Sequence, residues 1–396
     1  MQRVINLKPF RDFLRSGAAG GVILMICVAV SLAIANSPAG VAFEELLHYK
    51  AGWNTGNIHL QYPVRTWIND GLMAVFFLMV GLEIKRELLE GELSSFRKAA
   101  LPVFAALGGV LLPAGIYTFF NYGTDTAHGW GIPMATDIAF AITAVTLLGR
   151  KAPASLKIML AALAIADDLM AILVIAIFYS SGLQPAYLLY AGAVLLLLFL
   201  FNRMGLRHPV FYLAPGLLMW YFIHHSGIHA TIAGVLTASA VPTTADERES
   251  PLERLEHALM KPVNFIILPL FALANTNIRF ETGMSAGLTT ALGLGIIAGL
   301  AIGKPAGILL FSWLSVKSRI CRLPEDIRWG HVAGMGMLGG IGFTMSVFIA
   351  LLSFADPALL PAAKFAILAA SLLSGVCGSL TLALLYRRKK QLPVSQ

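Results

Sequence analysis

The feature that most constrains this chain is Leu160-Ala-Ala-Leu-Ala-Ile-Ala-Asp-Asp-Leu-Met-Ala-Ile-Leu-Val-Ile-Ala-Ile-Phe178, an apolar run with two adjacent carboxylates, Asp167 and Asp168, at its centre. A run of this length reads as a membrane-spanning helix. A single ionisable group at mid-membrane costs at least about 2.5–3.5 kcal/mol on insertion scales, so two in succession demand a compensating role. The residue types point to a cation and proton site.

Composition agrees with the membrane reading. With 57% hydrophobic and 13% charged residues and a mean hydropathy of +0.76, the chain is expected to be one integral membrane domain over residues 1–396. Twelve spans are predicted, at 16–36, 66–86, 99–120, 132–149, 155–179, 186–202, 209–223, 227–241, 262–276, 289–314, 330–353 and 362–386. With a cytoplasmic N-terminus, 24 of the 29 Lys and Arg fall in inside segments and four (Lys50, Arg65, Arg279, Lys364) outside; Lys304 alone lies within a span. The inside set includes Arg3, Lys8, Arg11, Arg15, Arg150, Lys151, Arg248 and Lys390. This asymmetry predicts an even number of spans with both termini cytoplasmic. The net charge of +8 is therefore topological and calls for no nucleic acid partner. Residues 1–36 carry a basic start and Ala33-Ile34-Ala35 like a secretory signal, but the apolar stretch exceeds a signal core, so it is expected to stay as the first span. The three cysteines, Cys27, Cys321 and Cys377, imply no disulfide framework.

Two spans are interrupted. Gly131-Ile-Pro-Met-Ala-Thr-Asp-Ile-Ala-Phe-Ala141 places proline and a Thr136-Asp137 pair at mid-depth, and Met337-Leu-Gly-Gly-Ile-Gly-Phe-Thr-Met345 places three glycines and a threonine in span eleven. Irregular backbone at membrane depth is tolerated where it lines a cavity, and it points to a transporter site. Spans three to five and ten to twelve would then be inverted repeats. Two broken helices crossing in opposite senses bring two positive N-terminal ends together on one side and two negative C-terminal ends on the other. Asp137 can neutralise the first pair; Lys304 can neutralise the second or pair with Asp167 or Asp168.

The remaining candidates lie toward the membrane faces. Asp70 sits near the outer end of span two, where it reads equally as a helix cap. Glu83, 13 residues deeper or about 20 Å by helical rise, sits at the cytoplasmic mouth, where pairing with Lys85, Arg86 or Lys317 is the plainer reading. His229 opens span eight; a hydrogen-bonded histidine is the commoner case, but imidazole also titrates between pH 5 and 8. Glu249, Glu253, Arg254, Glu256 and His257 share a helical spacing that reads as a solvated face or as a sensor of cytoplasmic protons. In the outside segment 37–65, Asn57-Ile-His-Leu-Gln-Tyr-Pro63, preceded by Gly56, alternates as a short strand or hairpin would, and such an edge can contact a second protomer.

Together, Ala135-Thr-Asp-Ile-Ala-Phe-Ala141, Ala164-Ile-Ala-Asp-Asp-Leu169, Phe77-Leu-Met-Val-Gly-Leu-Glu-Ile-Lys-Arg-Glu-Leu88, His229-Ala-Thr-Ile-Ala-Gly234, Gly303-Lys-Pro-Ala-Gly307 and Gly339-Gly-Ile-Gly-Phe-Thr-Met-Ser346 resemble the signatures of NhaA-type bacterial Na⁺/H⁺ antiporters. The resemblance implies an all-α protein of about twelve transmembrane helices, with inverted repeats and broken, crossing spans four and eleven. It implies a pH-regulated, electrogenic exchanger of the bacterial inner membrane that expels Na⁺ or Li⁺ for two protons, supports salt tolerance, uses no cofactor and forms a homodimer through segment 37–65. Asp167 and Asp168 would match the cation and proton carboxylates, Thr136 and Asp137 the crossing, and Lys304 the buried partner of Asp167. Glu83, Glu87, His229 and Glu256 would match positions linked to pH response and cation access. Departures occur at Glu253, where a basic residue is expected, and at Met260-Lys261, where a second histidine is expected.

Residues 100° apart on a helix cannot both face one ion alike, so one aspartate can coordinate while its neighbour meets Lys304. Close carboxylates in a low dielectric titrate as a coupled set, and Na⁺ and H⁺ compete for the same oxygens. A membrane enzyme fits poorly: intramembrane aspartyl proteolysis needs aspartates on separate helices, and a prenyl-transfer Asp-Asp-x-x-Asp motif is broken by Ala171. A channel would show a continuous polar stripe. The alternative from another class is a sodium-coupled solute symporter of related fold.

Overall fold

The computed structural model describes residues 19–55, 58–147, 153–180, 182–243, 250–281 and 284–389. The basic residues Arg3, Lys8, Arg11, Arg15, Arg150, Lys151, Arg248 and Lys390, and also Gly56, Asn57 and Glu249, lie outside the described residues. The described chain is mostly helical. In order it forms α1 (Ala19–Ala35), α2 (Gly40–His48), β1 (Lys50–Ala51), β2 (Asn54–Thr55), β3 (Ile58–His59) and β4 (Tyr62–Pro63). There follow α3 (Val64–Leu89), α4 (Phe96–Asn121), α5 (Ile138–Leu147), α6 (Ala154–Phe178), α7 (Pro185–Arg203), α8 (Val210–His224) and α9 (Ile232–Ala240). The last are α10 (Pro251–Asn275), α11 (Ala291–Lys317), α12 (Trp329–Gly339), α13 (Phe343–Ser353) and α14 (Leu360–Lys389).

Seven of these helices are long and apolar enough to cross a membrane. The number rises to nine when each bent pair counts as one span: α1 with α2, bent by 110°, and α12 with α13, bent by 46°. α5 and α8 are shorter apolar helices. Among the described residues, the predicted spans 132–149 and 227–241 thus contain ten and nine α-helical residues. The first is shortened because Pro133 lacks an N–H and residues 135–137 run without regular structure. The second is shortened because Gly227 takes φ +88°, which the chain uses to turn before α9.

The polar segment before span nine is also rearranged. Residues 251–275 form one helix through a π turn at Val263–Ile267, directly after Pro262, where a backbone hydrogen bond is lost. A capping box between Ser250 and Glu253 starts it. Glu256 is buried on this helix rather than lying on a solvated face. In the segment between α2 and α3, the strand pairing starts earlier than the sequence pattern implies: Lys50–Ala51 pairs antiparallel with Tyr62–Pro63, and Asn54–Thr55 with Ile58–His59.

Helices α4 and α11 cross at glycine. A Cβ on Gly307 would collide with the backbone oxygen of Gly108, and one on Gly108 with that of Gly307. Small residues let helix backbones touch where lipid offers no hydrophobic drive for association, and this contact sets the depth of Lys304, one turn earlier on α11. Gly307→Ala should therefore lower stability by about 1–3 kcal/mol through overpacking, read as thermal unfolding in detergent. Gly192→Ala, on α7 with nothing near its built Cβ, should be neutral or stabilising.

Candidate functional site

Three elements meet at the centre: α6, the extended link 135–137 that leads into α5, and the break between α12 and α13. The link crosses the break through hydrogen bonds, with Asp137 N–H donating to the Ile341 carbonyl at 2.7 Å. The Thr136 hydroxyl has one proton, shared between the Gly339 carbonyl at 2.9 Å and Asp167 Oδ2 at 2.7 Å. Gly340 is required here, because a Cβ would strike the Leu300 carbonyl oxygen.

Asp137 faces the N-terminal ends of both half-helices. Its Oδ1 accepts the Phe140 N–H of α5 at 3.2 Å, and its Oδ2 accepts the Thr344 N–H of α13 at 3.0 Å and the Thr344 hydroxyl at 2.5 Å. A carboxylate so placed satisfies orphan donors of two helices and complements both dipoles.

Asp167 and Asp168 leave α6 in different directions, as consecutive helical residues must. Asp167, 0% exposed, pairs through Oδ2 with Lys304 Nζ at 2.8 Å. Lys304, also 0% exposed, donates a further hydrogen bond to the Met134 carbonyl. This ammonium thus ties α6 to the backbone of the first break. Asp168, 2% exposed, has no hydrogen-bond partner for Oδ1. It lines a cavity of about 430 Å³ together with Thr136, Asp137 and Thr344. Glu83, Glu256 and Lys261 line the same cavity.

The acidic residues further out divide into two groups. Arg86 Nε binds Glu256 Oε2 at 2.9 Å and its Nη2 lies 3.2 Å from Glu87 Oε1. The pairing suggested for Glu83 therefore goes to Glu256 and Glu87, and Lys85 instead donates to the carbonyls of Ser239 and Val241. Asp70 and His229 are not brought to this cavity. Asp70 is no helix cap, since it lies within a π turn, Trp67–Leu72; His229 Nε2 and His224 Nδ1 approach its two oxygens at 3.6 and 3.5 Å. His229 Nδ1 meets the Thr231 hydroxyl at 2.8 Å. The residues grouped in the sequence as pH-linked thus occupy two ends of α3.

Thr344 carried a signal, as the threonine noted after the glycines of span eleven. Other contributors were not singled out from the sequence. The Met134 carbonyl, Arg86 as the partner of Glu256, and His224 carried none, because their roles arise from tertiary proximity. Among the described residues no three His, Cys, Asp or Glu side chains converge to hold a metal ion.

Helices of membrane-crossing length around a buried acid–base centre define a multi-pass α-helical membrane protein. The family model described as Na⁺/H⁺ antiporter 1 matches residues 11–382. The chain is 62% identical over 392 residues to Na(+)/H(+) antiporter NhaA 2 of Flavobacterium johnsoniae, covering 99% of this chain and 96% of that protein. It is 50% identical over 388 residues to Na(+)/H(+) antiporter NhaA of Dechloromonas aromatica, covering 97% and 98%. It is also 48% identical over 373 residues to the NhaA antiporter of Flavobacterium psychrophilum, covering 94% and 95%. The chain belongs to the NhaA-type Na⁺/H⁺ antiporter family.

The buried pair makes a separable prediction. Lys304→Leu leaves Asp167 without its cation and should destabilise by about 3–5 kcal/mol. Adding Asp167→Asn should restore much of that loss. Chemical or thermal unfolding of both variants checks it; equal stability of the single and double variants would show that the pair is not coupled.

Proposed function

We propose that this chain exchanges cytoplasmic Na⁺ or Li⁺ for external protons, two protons per cation, across a bacterial inner membrane. The observation that carries this reading is the unpaired Asp168 carboxylate at a cavity, beside an Asp167 already held by Lys304. Na⁺ entering the cavity displaces the proton carried by the Asp168 carboxyl, whose Oδ1 has no protein partner. Its charge then competes with Lys304 for Asp167, which loosens the pair and releases the second proton, held by the Asp167–Lys304 unit. Protons reload the same oxygens from the other side, so each ion displaces the other and alternation of the site between faces produces exchange.

The full architecture belongs to the same reading. Residues 1–396 form one domain of about twelve spans, in which short α5 and the α12–α13 pair are the broken fourth and eleventh. Spans three to five and ten to twelve are inverted repeats, and both termini are cytoplasmic. The distribution of Lys and Arg supports that orientation. It also makes the Glu256 and Lys261 end of the cavity the cytoplasmic one, so that the site is open inward. Glu83, Glu87 and Glu256, gathered around Arg86, then meet arriving cations and respond to cytoplasmic pH. Asp70 and His229 serve the outer side.

A Na⁺ or Li⁺ pulse should dissipate an imposed pH gradient in everted membrane vesicles, and Asp168→Asn should abolish the response. Competition requires the apparent KM for Na⁺ to fall as pH rises, by up to about tenfold per pH unit for one displaced proton. Exchange retained in Asp168→Asn would overturn that assignment. No cation response at any pH from folded, inserted protein would overturn exchange itself in favour of solute-coupled uptake.

The outer hairpin, built of two short antiparallel strand pairs, is proposed as the contact between two protomers in the bilayer. Replacing residues 50–63 with a short flexible loop should shift the chain from dimer to monomer in sedimentation equilibrium while leaving exchange measurable. An unchanged dimer would move the contact elsewhere.

A further inference from the structure

The mouth of the Asp168 cavity carries a charge that has no part in the exchange described so far. Lys261 lines the cavity together with Glu83 and Glu256, in the pair Met260-Lys261 where the family resemblance leads one to expect a histidine. Its level is fixed by its neighbours. α3 and α10 run antiparallel, tied at one end by Arg86 Nε and Glu256 Oε2 at 2.9 Å and at the other by Asn275 Nδ2 donating to Asn69 Oδ1 at 2.7 Å. Counted from the Arg86–Glu256 rung toward the asparagines, Glu83 lies three residues along α3 and Lys261 five along α10, roughly 4.5 and 7.5 Å by helical rise. The two stand within about 3 Å of one level, on facing walls of one cavity. The flexible four-carbon stem of Lys261 can therefore bring its ammonium to the Glu83 carboxylate.

The neighbouring charges are engaged. Arg86 holds both Glu256 and Glu87, Glu87 Oε2 also accepts the Glu92 N–H at 2.9 Å, and Lys85 donates to the carbonyls of Ser239 and Val241. Of the carboxylates that line the cavity, Asp137 and Asp168 belong to the crossing, and Glu256 is taken by Arg86. Glu83 is thus the free carboxylate of the mouth. Among the described residues, neither Glu83 nor Lys261 forms a hydrogen bond or an ion pair. One unpaired anion and one unpaired cation share the entrance.

We propose that Lys261 is a tethered competitor of cytoplasmic Na⁺ for Glu83, and so sets the Na⁺ concentration at which this chain takes up its cation. The inference rests on this mouth being the cation entrance, as the exchange reading has it. An ammonium has three donors and no lone pair, so Lys261 cannot itself ligate Na⁺; it can only occupy the carboxylate that would. Both competitors carry one positive charge, and one replaces the other without changing the charge of the mouth. A group on a short flexible tether has an effective concentration in the millimolar range. With comparable affinity for the carboxylate, Na⁺ prevails only as its own concentration reaches that range. Uptake is thereby held back when cytoplasmic Na⁺ is scarce.

The test is the rate of Na⁺-driven exchange by the full chain in everted vesicles at low ionic strength. Lys261→Gln should lower the KM for Na⁺ by about three- to fivefold, the upper scale of a solvent-accessible ion pair, at an unchanged maximal rate. Lys261→Arg should keep the native KM. In a Glu83→Gln background, Lys261→Gln should leave KM where it was. A native KM in Lys261→Gln would overturn the proposal, and so would an equal fall in both backgrounds, the mark of a lysine that merely repels cations. Where Glu83→Gln does not fold, Lys261→Cys replaces it, treated with aminoethyl or trimethylammonioethyl methanethiosulfonate beside a native chain treated alike. Only the aminoethyl product, which keeps N–H donors, should bring KM back up; equal restoration by both reagents would again mean repulsion. Thermal unfolding of the purified chain against Na⁺ reads the same competition without exchange, since a ligand of the folded state stabilises it. The Na⁺ concentration for half-maximal stabilisation should fall by the same factor in Lys261→Gln. That fall, with no exchange from any variant, would sink the exchange reading and leave the competitor standing.

Discussion

The interior of this protein depends on how one ammonium is neutralised. Lys304 has no water to turn to, and its two contacts, the Asp167 carboxylate and the Met134 carbonyl, belong to different elements. The attraction of a buried ion pair scarcely exceeds the desolvation of its partners. Such a pair is poor as a source of stability and well suited to being re-partnered. A small change in charge at Asp168, the next residue on α6, is enough to alter what Asp167 and Lys304 prefer.

The broken spans answer a complementary need. Backbone interrupted at membrane depth exposes donors and acceptors that lipid cannot satisfy. Several of these groups find partners across the crossing: the Ile341 and Gly339 carbonyls accept from the link at 136–137, and Asp137 accepts from Thr344 of the other break as well as from Phe140 of its own. The crossing is thus held by polar contacts that can be exchanged rather than by packing that would have to be undone.

Much of this was legible in the sequence because membrane burial makes charge conspicuous. Asp167, Asp168, Asp137 and Lys304 stand out against apolar surroundings, and Pro133 and the glycines at 339–342 mark where helices stop. The helical spans follow the apolar runs to within a few residues over most of the chain. What was illegible depends on contacts between distant segments. Glu256 reads as a surface residue because its neighbours Glu253 and His257 are polar, yet the helix continues through Pro262 and carries it inward to Arg86. Asp70 and His229 read as separate candidates, and only the fold sets them beside His224. The short helices α5 and α9 were overestimated because an apolar run records burial, whereas backbone geometry at Pro133 and Gly227 decides helicity.

The contact between Gly108 and Gly307 restricts how the centre can change shape. With backbone against backbone, α4 and α11 have no side-chain layer to slide on, and a tilt of one against the other produces collision rather than repacking. They behave as a single beam. Lys304 is carried on that beam, so a slide or tilt of α11 along α4 is opposed before it can move the ammonium. Flexibility must instead reside at the non-helical links 135–137 and 340–342, where the polypeptide is thinnest and its hydrogen bonds can be traded one for another.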